Sequence, residues 1–553
     1  MPTSQTTPQV VSPRAFRGTF WIALLFFASL SSLWALSGPV FAIADESAHA
    51  TKAIAQWQGQ VIGYEVPGIR HTVVDLPPED SYSSNIICFV YHPERPANCG
   101  VELGDEGTNW FNTWVGAYNP TYYFLAGWPS AVFDGSAGIY AMRIASALVG
   151  AVFLAWATQA AMAATRARWM PIGIAVLASP MIVYYTGSVN PQGLEVAAAA
   201  SLWMGLLRLL QTWREPGAVL LSRTYLWVIV GISAAVVANV RALGPLWVVV
   251  IIGSCLLLSG RPAVRAMFST GRSYWAIGAV AVAGLFSVWW TLFGGSLSHQ
   301  ADKSDAPLVG AGFLRGFAVM LRRTPEFIQQ SAGYFGWFDA PLPLQAYVGF
   351  FVAFALLVIP ALVGTTRRGA FAVAFLMIVA VFVPALVQGY SVGQTGIIWQ
   401  GRYGLFLYIA IALVASMVLS SAAGSRLHYL SVRMTVVVVG LLSAFGIGAF
   451  VLVLRRYVVG NATPITQMFS NPQWQPPLGW PVLVALMVAT WLAFASWLVW
   501  RAVVAARADP VAEPRASADR VSDPATVPGS PADALADAAE RPVTPERVVT
   551  PER

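Results

Sequence analysis

Three polar side chains that could carry out proton chemistry lie close together early in the sequence: Asp45, Glu46 and His49, in the segment ADESAHATKA. If this segment is helical, Asp45 and His49 lie one turn apart on the same face, with Glu46 beside them. A carboxylate held in this way suits a general base that takes a proton from a hydroxyl group. Two other interpretations stay open: Asp45 as the N-cap of a solvated helix, and Glu46 with His49 as two ligands of a divalent metal ion that lacks an evident third ligand.

The composition determines where this cluster must lie. Of the 553 residues, 57% are hydrophobic and only 11% are charged, against about 25% charged residues in an average soluble domain. Long apolar runs without a charge offer no polar face to water, so an ordinary soluble protein is excluded. Nearly all basic residues are arginines in short segments between these runs, which is typical of membrane topology and not of a nucleic-acid partner. The sequence therefore predicts an all-α polytopic protein of the cell membrane.

About twelve apolar runs are long enough to cross a membrane as helices. They fall near residues 18–41, 136–163, 170–188, 191–212, 225–241, 243–260, 274–295, 345–364, 370–389, 403–422, 434–454 and 478–500. With both termini in the cytoplasm, every predicted inner segment carries arginine, as the positive-inside rule requires. The predicted domains are a cytoplasmic N-terminus (1–17), a transmembrane domain (18–502) and a disordered cytoplasmic tail (508–553) rich in Ala and Pro.

Several arginines lie on the predicted outer side and need another explanation. Arg402 stands where a short outer segment enters the tenth span, and Arg241 ends the fifth span on the same side. A guanidinium group can hold two phosphate oxygens and stays charged at any relevant pH, so both are candidate phosphate ligands. A structural ion pair or an interfacial anchor would explain Arg402 as well. Arg143 lies inside the second span, so we expect it to pair with Asp45 or Glu46, or else to reach the interface.

The two long outer segments are predicted to be residues 44–134 and 296–344. Cys88 and Cys99 lie close together in the first one, and on an oxidising side of the membrane they could form a disulfide, with two free thiols as the alternative. In the second segment, apolar residues and arginines of GFLRGFAVMLRRTPEF recur at helical spacing, which predicts an amphipathic helix on the membrane surface. The aromatic clusters TYYFLAGW and GYFGWF could stack on sugar rings or form an aromatic belt.

Five short motifs follow one another on the predicted outer side. They are Asp45-Glu46 with His49, Asn119-Pro120 with Tyr122 and Tyr123, Ser188-Val189-Asn190-Pro191-Gln192-Gly193, Gly336-Trp337-Phe338-Asp339 with Pro341 and Pro343, and Gln400-Gly401-Arg402-Tyr403. In this order, over residues 18 to about 500, they resemble the domain of unknown function 2142 family. The acidic pair after the first span also resembles the GT-C fold glycosyltransferases, which take sugars from polyprenyl-phosphate donors. Thr121 and Gln192 depart from the family pattern, in which a proline and an acid are usual.

The resemblance implies a GT-C-like membrane glycosyltransferase that moves a sugar from a polyprenyl-phosphate donor to a cell-envelope glycan or lipid acceptor on the extracytoplasmic face. The expected catalytic residues are Asp45, Glu46 and His49. Donor phosphate is expected to bind Arg402, Arg241, Arg143 and Tyr403. Substrate-binding roles are expected for Asn119, Tyr122, Tyr123, Asn190, Trp337 and Asp339. No cofactor is implied with certainty, and a divalent metal ion stays open.

Three other functions remain alternatives. A transporter or flippase of lipid-linked saccharides would also have about twelve spans, but such proteins build their sites near the bilayer midplane from interrupted helices and internal repeats, and no repeat of two halves is evident. A ligase that joins a preassembled lipid-linked chain to an acceptor would share the outer arginines. A non-catalytic envelope assembly protein is the last alternative. The acidic pair after the first span favours the glycosyltransferase, with donor, acceptor and membrane lipid as partners.

Overall fold

The structure, a computed structural model, describes residues 13–69, 71–99, 103–104, 109–296, 306–422 and 426–508. The predictions for residues 1–12 and for the tail from 509 onward lie outside the described residues. The described part of the chain is mostly helical.

The helices, in chain order, are α1 (Pro13–Ser37), α2 (Glu46–Trp57), α3 (Thr121–Gly127), α4 (Gly135–Met162), α5 (Met170–Leu177), α6 (Pro180–Thr186), α7 (Pro191–Arg214), α8 (Arg223–Val240), α9 (Gly244–Ser259), α10 (Arg261–Phe268), α11 (Gly271–Phe293), α12 (Phe313–Gly333), α13 (Leu344–Val363), α14 (Arg367–Thr395), α15 (Leu405–Ser421), α16 (Arg426–Val458), α17 (Gln467–Ser470) and α18 (Trp480–Ala508). Two antiparallel ribbons lie in the long segments between them. They pair β1 (Thr72–Asp75) with β2 (Trp110–Thr113) and β3 (Tyr334–Phe335) with β4 (Ala340–Pro341).

The predicted class, an all-α multi-pass membrane protein, is confirmed. Ten helices of the described chain are long and apolar enough to cross a membrane, and an eleventh crossing results if α9 and α10, bent by 117° at Gly260, count as one span. The prediction of about twelve continuous spans was therefore slightly too high.

The difference arises at residues 170–188, which were predicted to be one helix. The structure has two short helices there, α5 and α6, separated at Ala178 and Ser179. Ser179 is extended, with φ −56° and ψ 144°, because the ring of a following proline disfavours the helical conformation in the residue before it. Pro180 then begins α6, where its missing N–H costs no helical hydrogen bond. This break directs the end of α6, with Tyr185, toward the candidate site.

The described residues of the first long segment, 44–134, pack against the bundle. Nearly all of α2 is buried, from Glu46 to Gln56. Cys88 and Cys99 are joined in a disulfide, with 6.0 Å between their Cα atoms. Arg456, from the end of α16, donates to the carbonyl oxygens of Phe89 (2.6 Å) and Arg95 (2.8 Å), so the disulfide loop is tied to that helix.

The predicted amphipathic helix of the second long segment is present as α12. Met320 and Phe327 face the protein, while the side chain of Leu314 is 77% exposed. At its C-terminal half, α12 lies against a 3₁₀ turn at Gly401–Gly404, and Gln330 Oε1 accepts a hydrogen bond from the Gly401 N–H at 2.7 Å. The helix thus supports the turn that carries Arg402.

Candidate active site

A cavity of about 320 Å³ lies at one end of the helical bundle, within the range of about 300–1,000 Å³ that is usual for ligand sites. Its walls come from the segment after α1, from the N-terminal ends of α7 and α9, and from the C-terminal ends of α8 and α14. The charged and polar lining residues are Asp45, His49, His71, Asn190, Gln192, Glu195, Arg241, Gln388, Ser391, Gln400 and Arg402. These helix ends are the ones that the charge pattern assigns to a single side of the membrane.

A second cavity, of about 290 Å³, lies at the opposite ends of the same helices. It is lined by Gln211, Arg214 and Glu215 near the end of α7, and by Thr365 and Arg368 at the start of α14. None of the five sequence motifs contributes to its wall, so the first cavity is the candidate active site.

Asp45 is the carboxylate that faces the cavity. It takes the N-cap position of α2 with a left-handed φ of 66°, but its side chain makes no capping hydrogen bond. Instead, Asp45 Oδ2 accepts a hydrogen bond from Arg402 Nη2, and 30% of the side chain stays exposed. Burial raises the pKa of Asp45, but the neighbouring charged groups, Arg402 with its hydrogen bond foremost and Arg241 among the others, together outweigh burial and leave this pKa below its ordinary value. Asp45 is therefore an ionised, partly open carboxylate.

Glu46, the next residue, does not reach the cavity. Its two carboxylate oxygens accept from Arg143 Nε (2.8 Å) and Arg143 Nη2 (2.5 Å), and both side chains are completely buried. The remaining Arg143 donors bind the carbonyl oxygens of Ala35, Gly38 and Pro39 at 2.8–2.9 Å. The structure thus pairs Arg143 with one of its two predicted partners, and this pair joins α2 to α4 instead of holding a phosphate or a proton.

His49 lies at the edge of the cavity and is buried. Its Nδ1 is 2.8 Å from the hydroxyl oxygen of Tyr123. Burial and, to a smaller degree, the positive charges of Arg241 and Arg402 lower the pKa of His49 to about 3, against the opposing effect of Asp45. The imidazole is consequently neutral at physiological pH and acts as a hydrogen-bonding group. Glu46 pairs with Arg143 and does not line the cavity, so the geometry gives no support to Glu46 with His49 as metal ligands.

Arg402 is held at the cavity wall by aromatic residues. Its Nη1 donates to the hydroxyl oxygen of Tyr185 at 2.9 Å, and its Cζ atom lies 5.2 Å from the ring centres of both Tyr185 and Tyr403. The residue is 2% exposed. Its Nε is buried and has no hydrogen-bond partner among the described residues. A guanidinium in this position keeps one donor available for a ligand.

Arg241 supplies a second positive charge. Its Cζ lies 4.5 Å from the ring centre of Tyr403. Its Nη1 is 3.4 Å from Glu195 Oε2, a long contact for an ion pair, and 23% of the Arg241 side chain is exposed. The other oxygen of Glu195, Oε1, is buried without a partner in the described chain. Tyr403 therefore contacts two guanidinium groups, those of Arg241 and Arg402.

Aromatic side chains form much of the remaining wall: Trp114, Tyr118, Trp247, Trp399 and Tyr403. The rings of Trp399 and Tyr403 meet edge to face at 5.7 Å, so their orientation is fixed by packing. Flat apolar faces beside hydrogen-bonding groups suit a sugar ring, which has both kinds of surface.

Only part of the predicted substrate-binding set lies at the cavity. Asn190 does line it, and its Oδ1 caps α7 through the Gln192 N–H at 3.0 Å. The other five do not line the cavity. Tyr123 contacts the cavity residue His49 (2.8 Å) from behind the wall. The remaining four make contacts away from the cavity: Asn119 with Asn239 (3.0 Å), Tyr122 with Ser146 (3.1 Å), Trp337 with the Phe41 carbonyl (3.0 Å) and Asp339 with Arg456 (2.8 Å). The expectation that these five bind substrate directly has no support in their positions.

Among the residues that sequence reasoning did not single out, Glu195 and Tyr185 contact the two arginines of the site. Glu195 lies inside an apolar run, and an acid in such a run is by itself a signal of function, so it could have been found. Tyr185 gave no such signal, because a tyrosine in an apolar run is common and only the break before α6 brings it to Arg402.

The described residues include no group of three or more His, Cys, Asp or Glu side chains that could hold a metal ion. The acids and histidines of the site instead have protein partners. The chemistry available from these side chains is proton transfer at Asp45 and binding of an anion by Arg402 and Arg241.

Comparison with known proteins gives one family and several similar solved structures, among them two of one protein. Residues 26–407 match the family model described as "Predicted membrane protein (DUF2142)". No curated protein matches the sequence. ArnT from Cupriavidus metallidurans in the apo state is similar with a TM-score of 0.40 and 13% identity, covering 88% of this chain and 78% of that chain. The same protein bound to undecaprenyl phosphate has a TM-score of 0.41 and 13% identity, covering 89% and 78%.

Proposed function

The chain belongs to the DUF2142 family of membrane proteins, and on that premise we propose that it is a membrane glycosyltransferase. It would move a sugar from a polyprenyl-phosphate donor to a cell-envelope glycan or lipid acceptor on the extracytoplasmic side. The observation that carries this proposal is the cavity in which one partly open carboxylate, Asp45, meets two arginines, Arg402 and Arg241, among aromatic walls. The acidic pair after the first span, Asp45 and Glu46, also resembles that of the GT-C enzymes.

The side chains match the charges that develop in such a transfer. The acceptor oxygen forms a bond to the anomeric carbon while the bond from that carbon to the phosphate oxygen breaks. Asp45 takes the hydroxyl proton as general base, and the pair of electrons of the broken bond leaves with the polyprenyl phosphate. Arg402 and Arg241 stabilise the negative charge of that leaving phosphate. Neutral His49 borders the same space and is suited to orient a hydroxyl group.

The place of the cavity favours a transferase over a transporter. It lies where the helix ends meet residues 44–134, near Asp45 and Arg241, whereas transporter sites lie near the bilayer midplane between broken helices. A donor whose polyprenyl chain stays in the membrane would reach such a site with its phosphate at the interface.

The direct test uses purified full-length protein in lipid nanodiscs with a panel of polyprenyl-phosphate sugars. We expect consumption of one donor, with release of polyprenyl phosphate, in the presence of envelope lipids or glycans. The matched control is Asp45→Asn, which should consume no donor above background. Movement of an intact lipid-linked saccharide across the bilayer without loss of its sugar would instead establish a flippase.

A second test concerns the phosphate ligand. Arg402→Lys keeps the charge but loses the planar pair of donors, so we expect a partial loss of donor use, while Arg402→Ala should lose nearly all of it. Initial rates at several donor concentrations measure both. Full activity in both variants would remove Arg402 from the reaction.

A further inference from the structure

Two neighbouring carboxylates form two very different ion pairs. Glu46 meets Arg143 through two hydrogen bonds, the pair is completely buried, and three backbone carbonyl oxygens bind the other Arg143 donors. Asp45 meets Arg402 through a single donor, Nη2, and keeps 30% of its side chain exposed. The first pair is closed and complete, whereas the second is open and incomplete.

The incomplete side of the second pair is the Nε–H of Arg402. Nε and Nη2 form the edge of a guanidinium that binds two oxygens of one anion, and Arg143 uses this edge for Glu46. In Arg402 the edge is only half used, because Nε is buried without a partner among the described residues. A buried donor in this state costs free energy, because it has lost its hydrogen bond to water and gained none in the protein. A ligand that filled both positions would remove that cost.

We propose that the donor phosphate replaces Asp45 on Arg402, so that binding of the donor itself releases the catalytic base. This inference rests on the proposed function. The phosphate offers two oxygens to Nε and Nη2, where Asp45 fills one position. Once released, Asp45 loses the charge-assisted hydrogen bond that holds its proton affinity down, and it turns into the cavity beside His49. Arg241, which also contacts the ring of Tyr403, can then bind a further phosphate oxygen.

The exchange gives the reaction an order. Without a donor, Asp45 is engaged by Arg402 and is a weak base. With a donor, Arg402 is neutralised by the phosphate and Asp45 is free to take a proton from the acceptor. The base is therefore active only when a sugar donor is present. A permanent pair, such as Glu46 with Arg143, could not do this.

The test measures binding of farnesyl phosphate, a short polyprenyl phosphate, to the full-length protein by isothermal titration calorimetry. Asp45→Asn removes the competitor of the phosphate on Arg402, so we expect its Kd to fall by about tenfold or more relative to the wild type. In the Arg402→Gln background, adding Asp45→Asn should change the Kd by less than about twofold, because the contested donor is gone. Equal tightening in both backgrounds would mean a general charge effect and would overturn the proposal.

Asp45→Glu is the matched control, since it keeps the competing charge, and its Kd should stay close to that of the wild type. Asp45→Ser repeats the test with a second neutral side chain. If neither Asp45→Asn nor Asp45→Ser gives folded protein, the pair is one that the fold requires, and the proposal is overturned. Binding needs no transfer. If the cycle behaves as expected but no donor is consumed, the exchange stands and the glycosyltransferase function fails.

Discussion

At the scale of single residues, the backbone conformation of Asp45 directs the side chains of two adjacent acids, Asp45 and Glu46, to different surroundings. With a φ of 66°, this residue turns the chain sharply before α2 begins. As a result, Asp45 faces the cavity and Arg402, while Glu46 points into the bundle toward Arg143. A left-handed conformation in a non-glycine residue is unusual and costs free energy, which is common at functional sites.

This division predicts different outcomes for two conservative substitutions. Asp45→Asn should give monodisperse protein whose transfer rate is lower by a factor of about 10² to 10⁴, the usual effect of removing a general base. Glu46→Gln should lose folded protein, because it leaves Arg143 buried without a counter-ion, a change that costs about 3–5 kcal/mol. Size-exclusion chromatography and donor consumption measure the two effects. Normal activity in Asp45→Asn would contradict the assignment of the base.

Lys52, one turn after His49, gives a prediction about pH. Its ammonium group is fully buried, donates to the carbonyl oxygen of Val61 and lies 5.6 Å from the ring centre of Tyr123. Burial lowers its pKa to about 7. Between pH 7 and the ordinary pKa of about 10.4, the unfolded chain keeps this proton and the folded protein releases it. The free energy of unfolding should therefore rise with pH across this window.

Lys52→Met isolates this effect, because it keeps the length of the side chain and removes the titrating group. We expect the thermal midpoint of the wild type to rise between pH 7 and 9, and that of the variant to rise less. Differential scanning fluorimetry in detergent at matched ionic strength would show it. Parallel pH profiles would contradict a neutral, buried Lys52.

At the scale of elements, the site depends on how closely a surface helix approaches a short turn. Gly401 begins the turn that carries Arg402, and its Cα lies against the backbone of α12. A Cβ atom at this position would collide with the carbonyl oxygen of Phe327 and lie 2.6 Å from Cβ of Gln330. Only glycine allows this approach, which explains the glycine of the Gln400–Tyr403 motif.

Gly401→Ala should therefore displace the turn and lower activity by at least about tenfold, since overpacking of this kind costs about 1–3 kcal/mol. Gly440→Ala is the matched control, because a Cβ at Gly440 in α16 meets no atom within 4 Å. We expect its rate to equal that of the wild type. The measurement is donor consumption by the two variants at equal protein concentration. Equal rates for Gly401→Ala and Gly440→Ala would contradict this account of the turn.

At the scale of the whole molecule, the cavity exists because helix ends from distant parts of the sequence meet on one side. Residues 45, 241 and 402 lie far apart in the chain, yet each follows or precedes a span on the side predicted to be outer. The second cavity is lined by residues at the opposite ends of these helices, namely those of α7, α9, α14 and α15. The two ends of the bundle are therefore chemically distinct, which is the basis for a site with one orientation.

This orientation is tested by labelling with an impermeant maleimide in intact cells. Single cysteines at the exposed positions Glu79 and Ser269 report the two sides, and the native Cys255 is buried. We expect Glu79→Cys to react in intact cells and Ser269→Cys to react only after permeabilisation. The reverse result would place the cavity in the cytoplasm.

Much of this architecture follows from the sequence alone. Apolar runs with almost no charge require helices in a membrane, and their length sets the number of spans to within one or two. The helix ends that the arginine pattern assigns to one side also meet at the cavity, because an unpaired charge is costly inside the bilayer and most charges therefore lie near the ends of spans. The sequence also singled out Asp45, Arg402 and Arg241, because they are charged residues next to spans on the predicted outer side.

Only the tertiary structure decided which of these residues act together. Neighbouring positions such as Asp45 and Glu46 have the same chemistry in the sequence, and the turn between them, which assigns one to the cavity and one to Arg143, is set by packing. Tyr123, Trp337 and Asp339 belong to the sequence motifs, but in the folded chain they make contacts within the protein. Tyr185 and Glu195 enter the site through the break at Ser179 and the start of α7. Burial and partners are properties of the folded chain, because contacts between residues hundreds of positions apart leave no local pattern.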